Sequence, residues 1–196
     1  MSSQNTTYIR SRELLARDDS RVLLVDVQGK LTAIMPGIEL PIANCRKLLL
    51  GARILGVPVS ATEQYPRGLG PTVPELAELV EMRVEKQRFS SAECFSWVTE
   101  DKGDRVKVVV IGIDAHVCIQ QTVLDLLAAG FSVYVPADAV ASRNPADRDV
   151  ALQRMRDSGA TVTTTESVLF EWCETAAAPE FKQISALIKG AMVDGP

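Results

Sequence analysis

RVLLVDV, residues 21–27, is a leucine and valine run interrupted by one carboxylate. A strand with one wet face alternates apolar and polar residues. A continuous apolar run instead marks a strand covered on both faces, as in a parallel sheet flanked by helices. KVVVIG, residues 107–112, has the same character and is the most strongly β-patterned segment of the chain. These two runs are expected at the centre of one sheet.

Between them, residues 39–55 carry Ile42, Cys45, Leu48, Leu49, Ala52 and Leu55 at helical spacing, with Gly56 as a stop. VPVSAT (57–62) predicts a second strand and EQYPRGLGP a turn-rich loop or flap, its glycines not forming a phosphate cradle. Thr72-Val-Pro-Glu75 has the pattern of a capped helix start leading into ELAELV. MRVEKQ (82–87) predicts a third strand, and Ser90 with Glu93 a second capping box opening a helix through Trp97. Beyond KVVVIG, a helix is expected from about His116 to Ala129, then a strand in FSVYVPA. Asn144-Pro145 caps a helix to Ser158, TVTTT predicts a sixth strand, and EFKQISALIK closes the chain as helix. Regular alternation of strand and helix predicts a Rossmann-like, three-layer α/β/α domain over residues 21–196, its six-stranded, mainly parallel sheet ordered about 3-2-1-4-5-6. Residues 1–20 are polar apart from Leu14–Ala16 and read as an N-terminal arm.

Composition narrows the function classes. With 46% hydrophobic and 23% charged residues the chain can build a sizeable core and remain soluble. A net charge of −4 without any basic run argues against nucleic acid as a partner. No stretch approaches the roughly 18 apolar residues of a membrane span, and no leader-like apolar segment opens the chain. Cys45, Cys94, Cys118 and Cys173 form no C-x-x-C pair, so they read as free thiols of a reducing, cytoplasmic compartment.

In a doubly wound sheet, ligands bind beyond the carboxyl ends of the strands, so chemistry is sought there. Asp26 places a costly carboxylate inside an apolar run, either as a site residue or as a cap or acceptor for the following loop. Lys86 ends the third strand, as a site residue, an exposed edge lysine or a partner of Glu85. Cys118, in GIDAHVCIQQ, falls in the first turn of a helix, where the dipole and free N–H groups lower a thiol pKa. It is either a nucleophile or a small buried hydrophobe, the reading taken for Cys45 and Cys94, while Cys173 has no supporting pattern. His116 lies two residues before Cys118 and points elsewhere on a helix start, so no catalytic role is given to it. Gln28, Gln64, Tyr65 and Phe89 follow strand ends and either line a substrate pocket or pack their loops. Carboxylate, ammonium and thiol are more persuasive together, because all three fall at one sheet edge and a lysine side chain can bridge two strand spacings.

VDVQ, EKQRFS, GIDAHVC and QQTVLDLLAAG together resemble the isochorismatase-like cysteine hydrolases, over roughly Arg21 to Phe170. ATEQYPRGLGPTVPEL is similar to the isochorismatase-domain-containing proteins of undefined substrate. The resemblance implies an Asp-Lys-Cys triad on Asp26, Lys86 and Cys118, and a cis peptide at Ile113–Asp114. It also implies an oxyanion hole from the backbone N–H groups of Asp114 and Cys118, and a symmetric homo-oligomer. The implied reaction cleaves a C–N bond of a small-molecule amide, urea or carbamoyl compound through a thioester, without a cofactor. Nicotinamidases of the family hold a metal with Asp-x-His and a further His. This chain reads Ala-Thr-Glu-Gln there and has His116 alone, so no catalytic metal is expected. Isochorismatase itself works without a cysteine nucleophile, which disfavours isochorismate as substrate. Two other classes stay open, a thiol redox sensor oxidised at Cys118 and a non-catalytic scaffold.

Overall fold

The computed structural model describes residues 8–190, so the first seven residues of the expected arm lie outside it. The described residues hold seven strands: β1 (Ser20–Val25), β2 (Val59–Gln64), β3 (Arg83–Lys86), β4 (Lys107–Ile113), β5 (Ser132–Pro136), β6 (Val140–Ala141) and β7 (Thr161–Thr163). They pair in parallel in the order β3-β2-β1-β4-β5-β7, with β6 beside the end of β4.

Alternation along the central strands sorts the core into two layers. Val22 and Leu24 of β1 and Val109 and Ile111 of β4 face helices α1 (Glu39–Leu55), α4 (Thr165–Cys173) and α5 (Phe181–Ile188). Leu23 and Val25 with Val108 and Val110 face α2 (Gln120–Ala128) and α3 (Pro145–Asp157). Both faces are dry, which is why these strands read as continuous apolar runs.

The expected six strands become seven because β5 releases β4 after three residue pairs, and β6 then takes up Gly112 and Ile113 on the same side. The last strand stops at Thr163 because the Thr164 side chain turns to cap α4, accepting from the Ser167 N–H. Neither expected capping box forms. Thr72 donates its hydroxyl to the buried Glu63 carboxylate, a stronger acceptor than a helix N–H is a donor, and the helix there is one turn, Pro74–Ala77. At Ser90–Glu93 a 3₁₀ turn (Ala92–Cys94) is broken from the short helix Ser96–Thr99 by extended Phe95, while exposed Glu93 pairs with Arg88.

The arm closes the amino edge of the sheet. Leu15 is fully buried in the α1/α4/α5 layer, and its N–H donates to Glu171 at 2.7 Å. Lys107 Nζ reaches back to the Leu14 carbonyl at 2.7 Å and to Asp19 at 2.8 Å. Leu15→Ala is expected to lower unfolding stability by about 2–5 kcal/mol, the range for a fully buried leucine truncated in a close-packed core; urea denaturation monitored by circular dichroism measures it.

Candidate active site

Three strand ends deliver the site. β1 ends at Val25, in register with Thr62 of β2 and Gly112 of β4. The next residue, Asp26, leaves the strand with φ of 53°, a left-handed conformation that aspartate tolerates better than most side chains. Its N–H donates to the Thr62 carbonyl at 3.2 Å, holding the turn against β2. Gly112 is required where it stands. It has φ of 120°, and a Cβ there would collide with the Val25 carbonyl, so a side chain would prise β4 from β1 beside Asp26. The following Ile113–Asp114 peptide is cis.

Asp26 and Lys86 are both buried, and Lys86 Nζ lies 2.6 Å from Asp26 Oδ2. The ammonium also donates to Gln64 Oε1 at 2.7 Å and to the Phe89 and Arg88 carbonyls at 2.8 and 3.2 Å. Lys86 is the register partner of Gln64 on β2, and the Lys86 side chain crosses the two spacings from β3 to Asp26 at the end of β1. Asp26 Oδ1 accepts from Thr62 Oγ1 at 2.8 Å, whereas Oδ2 accepts no aligned hydrogen bond among the described residues and is met by charge alone. A buried carboxylate and ammonium thus neutralise each other at the sheet edge.

Cys118 completes the group. It lies in a π-helical turn, Ala115–Ile119, that precedes α2, an irregularity common at functional sites. Its buried thiol is close enough to Asp26 and Lys86 to feel both charges. The expected lowering of its pKa by a helix start does not hold. Burial, first, and the Asp26 anion, second, push the thiol up to about 12, against weaker help from Lys86 and the Asp114 N–H. At rest Cys118 is a protonated thiol near a carboxylate.

The remaining candidates divide. Gln28 is fully buried, and its amide is spent on the backbone: Nε2 donates to the Gln64 and Gly70 carbonyls, and Oε1 accepts from the Gln64 N–H at 2.7 Å. It ties the strand ends together. Tyr65 and Phe89 are about half exposed. His116 is bonded to Ser142, Nδ1 to Oγ at 2.9 Å. Cys45 is buried with its thiol on the Ala139 carbonyl, and Cys173 is buried in α4. Cys94 departs from the expected helix face: it is half-buried on the 3₁₀ turn and lines a concavity of ≈560 Å³ beside β3 that holds none of the triad. Among the described residues, no three His, Cys, Asp or Glu side chains gather to hold a metal ion, and no helix is long and apolar enough to cross a membrane.

A parallel α/β sheet with carboxylate, ammonium and thiol gathered at its carboxyl edge defines a class, and sequence comparison names it: residues 20–167 match the isochorismatase domain family. The chain belongs to that family of isochorismatase-like hydrolases. Isochorismatase domain-containing protein 2 of Danio rerio is 40% identical over 175 residues, covering 89% of each chain. A structure described as the MAR1 ribonuclease of Caenorhabditis elegans superposes with a TM-score of 0.85 at 35% identity, over 92% of this chain and 95% of that one. YcaC from Pseudomonas aeruginosa, solved with hexane-2,5-diol and covalent acrylamide, gives 0.84 at 26% identity over 94% of each chain.

The Asp26 anion raises the thiol pKa and Lys86 lowers it, so removing the anion leaves burial alone against the cation's pull. Asp26→Asn is therefore expected to bring the Cys118 titration down from about 12. Thiolate absorbance at 240 nm, with Cys118→Ala as blank, reads the shift.

Proposed function

We propose that this protein hydrolyses a C–N bond of a small amide, urea or carbamoyl compound by nucleophilic catalysis at Cys118. The observation that carries this reading is the buried Asp26–Lys86 pair, Oδ2 to Nζ at 2.6 Å, whose charges act on the buried Cys118 thiol at the same sheet edge. A thiol this weakly acidic needs an adjacent base, and Asp26 is the one in reach.

Asp26 takes the thiol proton as sulfur attacks the carbonyl carbon. Oxygen becomes an oxyanion, held by the backbone N–H groups of Asp114 and Cys118; donors fixed in advance at such a point are worth about 3 kcal/mol of barrier each. Collapse breaks the C–N bond, and the leaving nitrogen takes the proton from Asp26, releasing ammonia or an amine and leaving a thioester. Water then gives a proton to Asp26 and attacks the thioester; collapse releases the acid, and the proton returns to sulfur. Lys86 keeps a positive charge beside the carboxylate and thiolate throughout. Tyr65 and Phe89 line the entrance, and the protein acts without cofactor or metal as a cytoplasmic homo-oligomer.

The acrylamide attached covalently to the Pseudomonas aeruginosa protein supports a small amide-bearing compound as a fitting occupant of this fold. The ribonuclease description of the Caenorhabditis elegans protein points elsewhere. A net charge of −4 opposes the approach of a polyphosphate backbone, and a thiol with an oxyanion hole suits a planar carbonyl better than a phosphodiester.

Ammonia release across a panel of small amides, ureas and carbamoyl compounds, with RNA cleavage as a parallel assay, tests the reading. Cys118→Ala is expected to fold normally and to lose turnover by at least about 10³-fold. Unchanged turnover in that variant, or RNA cleavage alone, rules it out.

A further inference from the structure

Asp26 is anchored from one side by hydroxyl groups that the mechanism above does not use. Thr62 Oγ1 lies 2.8 Å from Asp26 Oδ1 and 3.1 Å from Ser91 Oγ. The Ser91 N–H donates to Thr122 Oγ1 at 2.9 Å, and Thr122 Oγ1 donates to the Cys118 carbonyl at 2.6 Å. Thr62, Ser91 and Thr122 are all buried, so none of these bonds is shared with bulk water.

The direction of the ambiguous bond follows from counting hydrogens. A carboxylate only accepts, so the single hydroxyl hydrogen of Thr62 goes to Asp26, and Ser91 must donate to Thr62. Oδ1 remains an acceptor even when Asp26 carries the thiol proton, because that proton then resides on Oδ2. We propose that Thr62 is a positioning residue. Its hydroxyl, polarised by Ser91, reserves Oδ1 as a permanent acceptor, confines proton transfer with Cys118 to Oδ2, and favours the ionised base. The same hydroxyl chain runs on through Ser91 and Thr122 to the Cys118 carbonyl, so base and nucleophile turn are held in one register. This rests on the reading of Asp26 as the base for Cys118. The other titratable groups near the carboxylate are Lys86 from β3, Cys118 from the turn after β4, and Cys94 from the 3₁₀ turn, whose thiol feels both Asp26 and Lys86.

The experiment follows the pH dependence of Cys118 carbamidomethylation by iodoacetamide in the folded, full-length chain, quantified by mass spectrometry of the Cys118 peptide. This needs no knowledge of the substrate. Loss of a bond to the ionised carboxylate makes it harder to ionise, so Thr62→Val moves the acid limb of the rate profile to higher pH by about one unit, a roughly 10-fold slower reaction on that limb. Thr62→Ser restores the limb, and Ser91→Ala moves it the same way by less. A merely structural role lowers melting temperature in Thr62→Val and leaves the limb in place, and that result overturns the proposal. If Thr62→Val does not fold, an unmoved limb in Ser91→Ala overturns it instead. Asp26→Asn separates the two levels: the carboxylate limb must vanish there. A wild-type limb in Asp26→Asn defeats Asp26 as base, whatever Thr62 does.

Discussion

A carboxylate and an ammonium taken out of water together are the constraint on which the site depends. Each costs several kcal/mol to desolvate, and their attraction repays that cost only when the remaining donors and acceptors are satisfied. Lys86 Nζ spends its hydrogens on Gln64 and on the Phe89 and Arg88 carbonyls, while Asp26 Oδ1 takes the Thr62 hydroxyl. The loop after β3 therefore folds back over the ammonium, and the end of β2 is fixed by two side chains on one strand. What the pair lacks is an aligned donor for Oδ2, and the Cys118 thiol is the group at hand.

Sheet topology makes this convergence cheap. In the order β3-β2-β1-β4, the lysine, carboxylate and thiol segments leave the same edge of adjacent or next-adjacent strands. Gly112 allows β4 to close on β1 at the level of Val25, which brings the Asp114 N–H and the Cys118 turn beside Asp26. Burial also keeps the thiol protonated at rest, in contrast to an exposed thiolate at a helix start.

Much of this was legible in the residues. RVLLVDV and KVVVIG identify a two-face-covered parallel sheet, because continuous apolar runs have few other uses, and the strand order differs from expectation only by the two-residue β6. Asp26 stood out as a charge inside such a run. The helix starts were harder to read: Thr72 and Ser90 carry capping patterns, yet tertiary partners, Glu63 for Thr72 and extended Phe95 after the Ser90 turn, decide otherwise. Thr62 gave no signal, since a β-branched threonine in VPVSAT is what a strand prefers, and only the fold reveals which way its hydroxyl points. The thiol's acidity was misjudged because a dipole is local in sequence, whereas burial and Asp26 come from tertiary structure.

The strap formed by residues 8–19 has its anchors at the far end of the chain, with Leu15 bonded to Glu171 and Arg17 to Glu180. Lys107 and Tyr134 also hold its Leu14 and Glu13 carbonyls, so the strap is pinned from the central strands as well as from the last helices. The Leu15–Glu171 bond closes a loop across 156 positions, and the entropic cost of such a closure grows only logarithmically with its length.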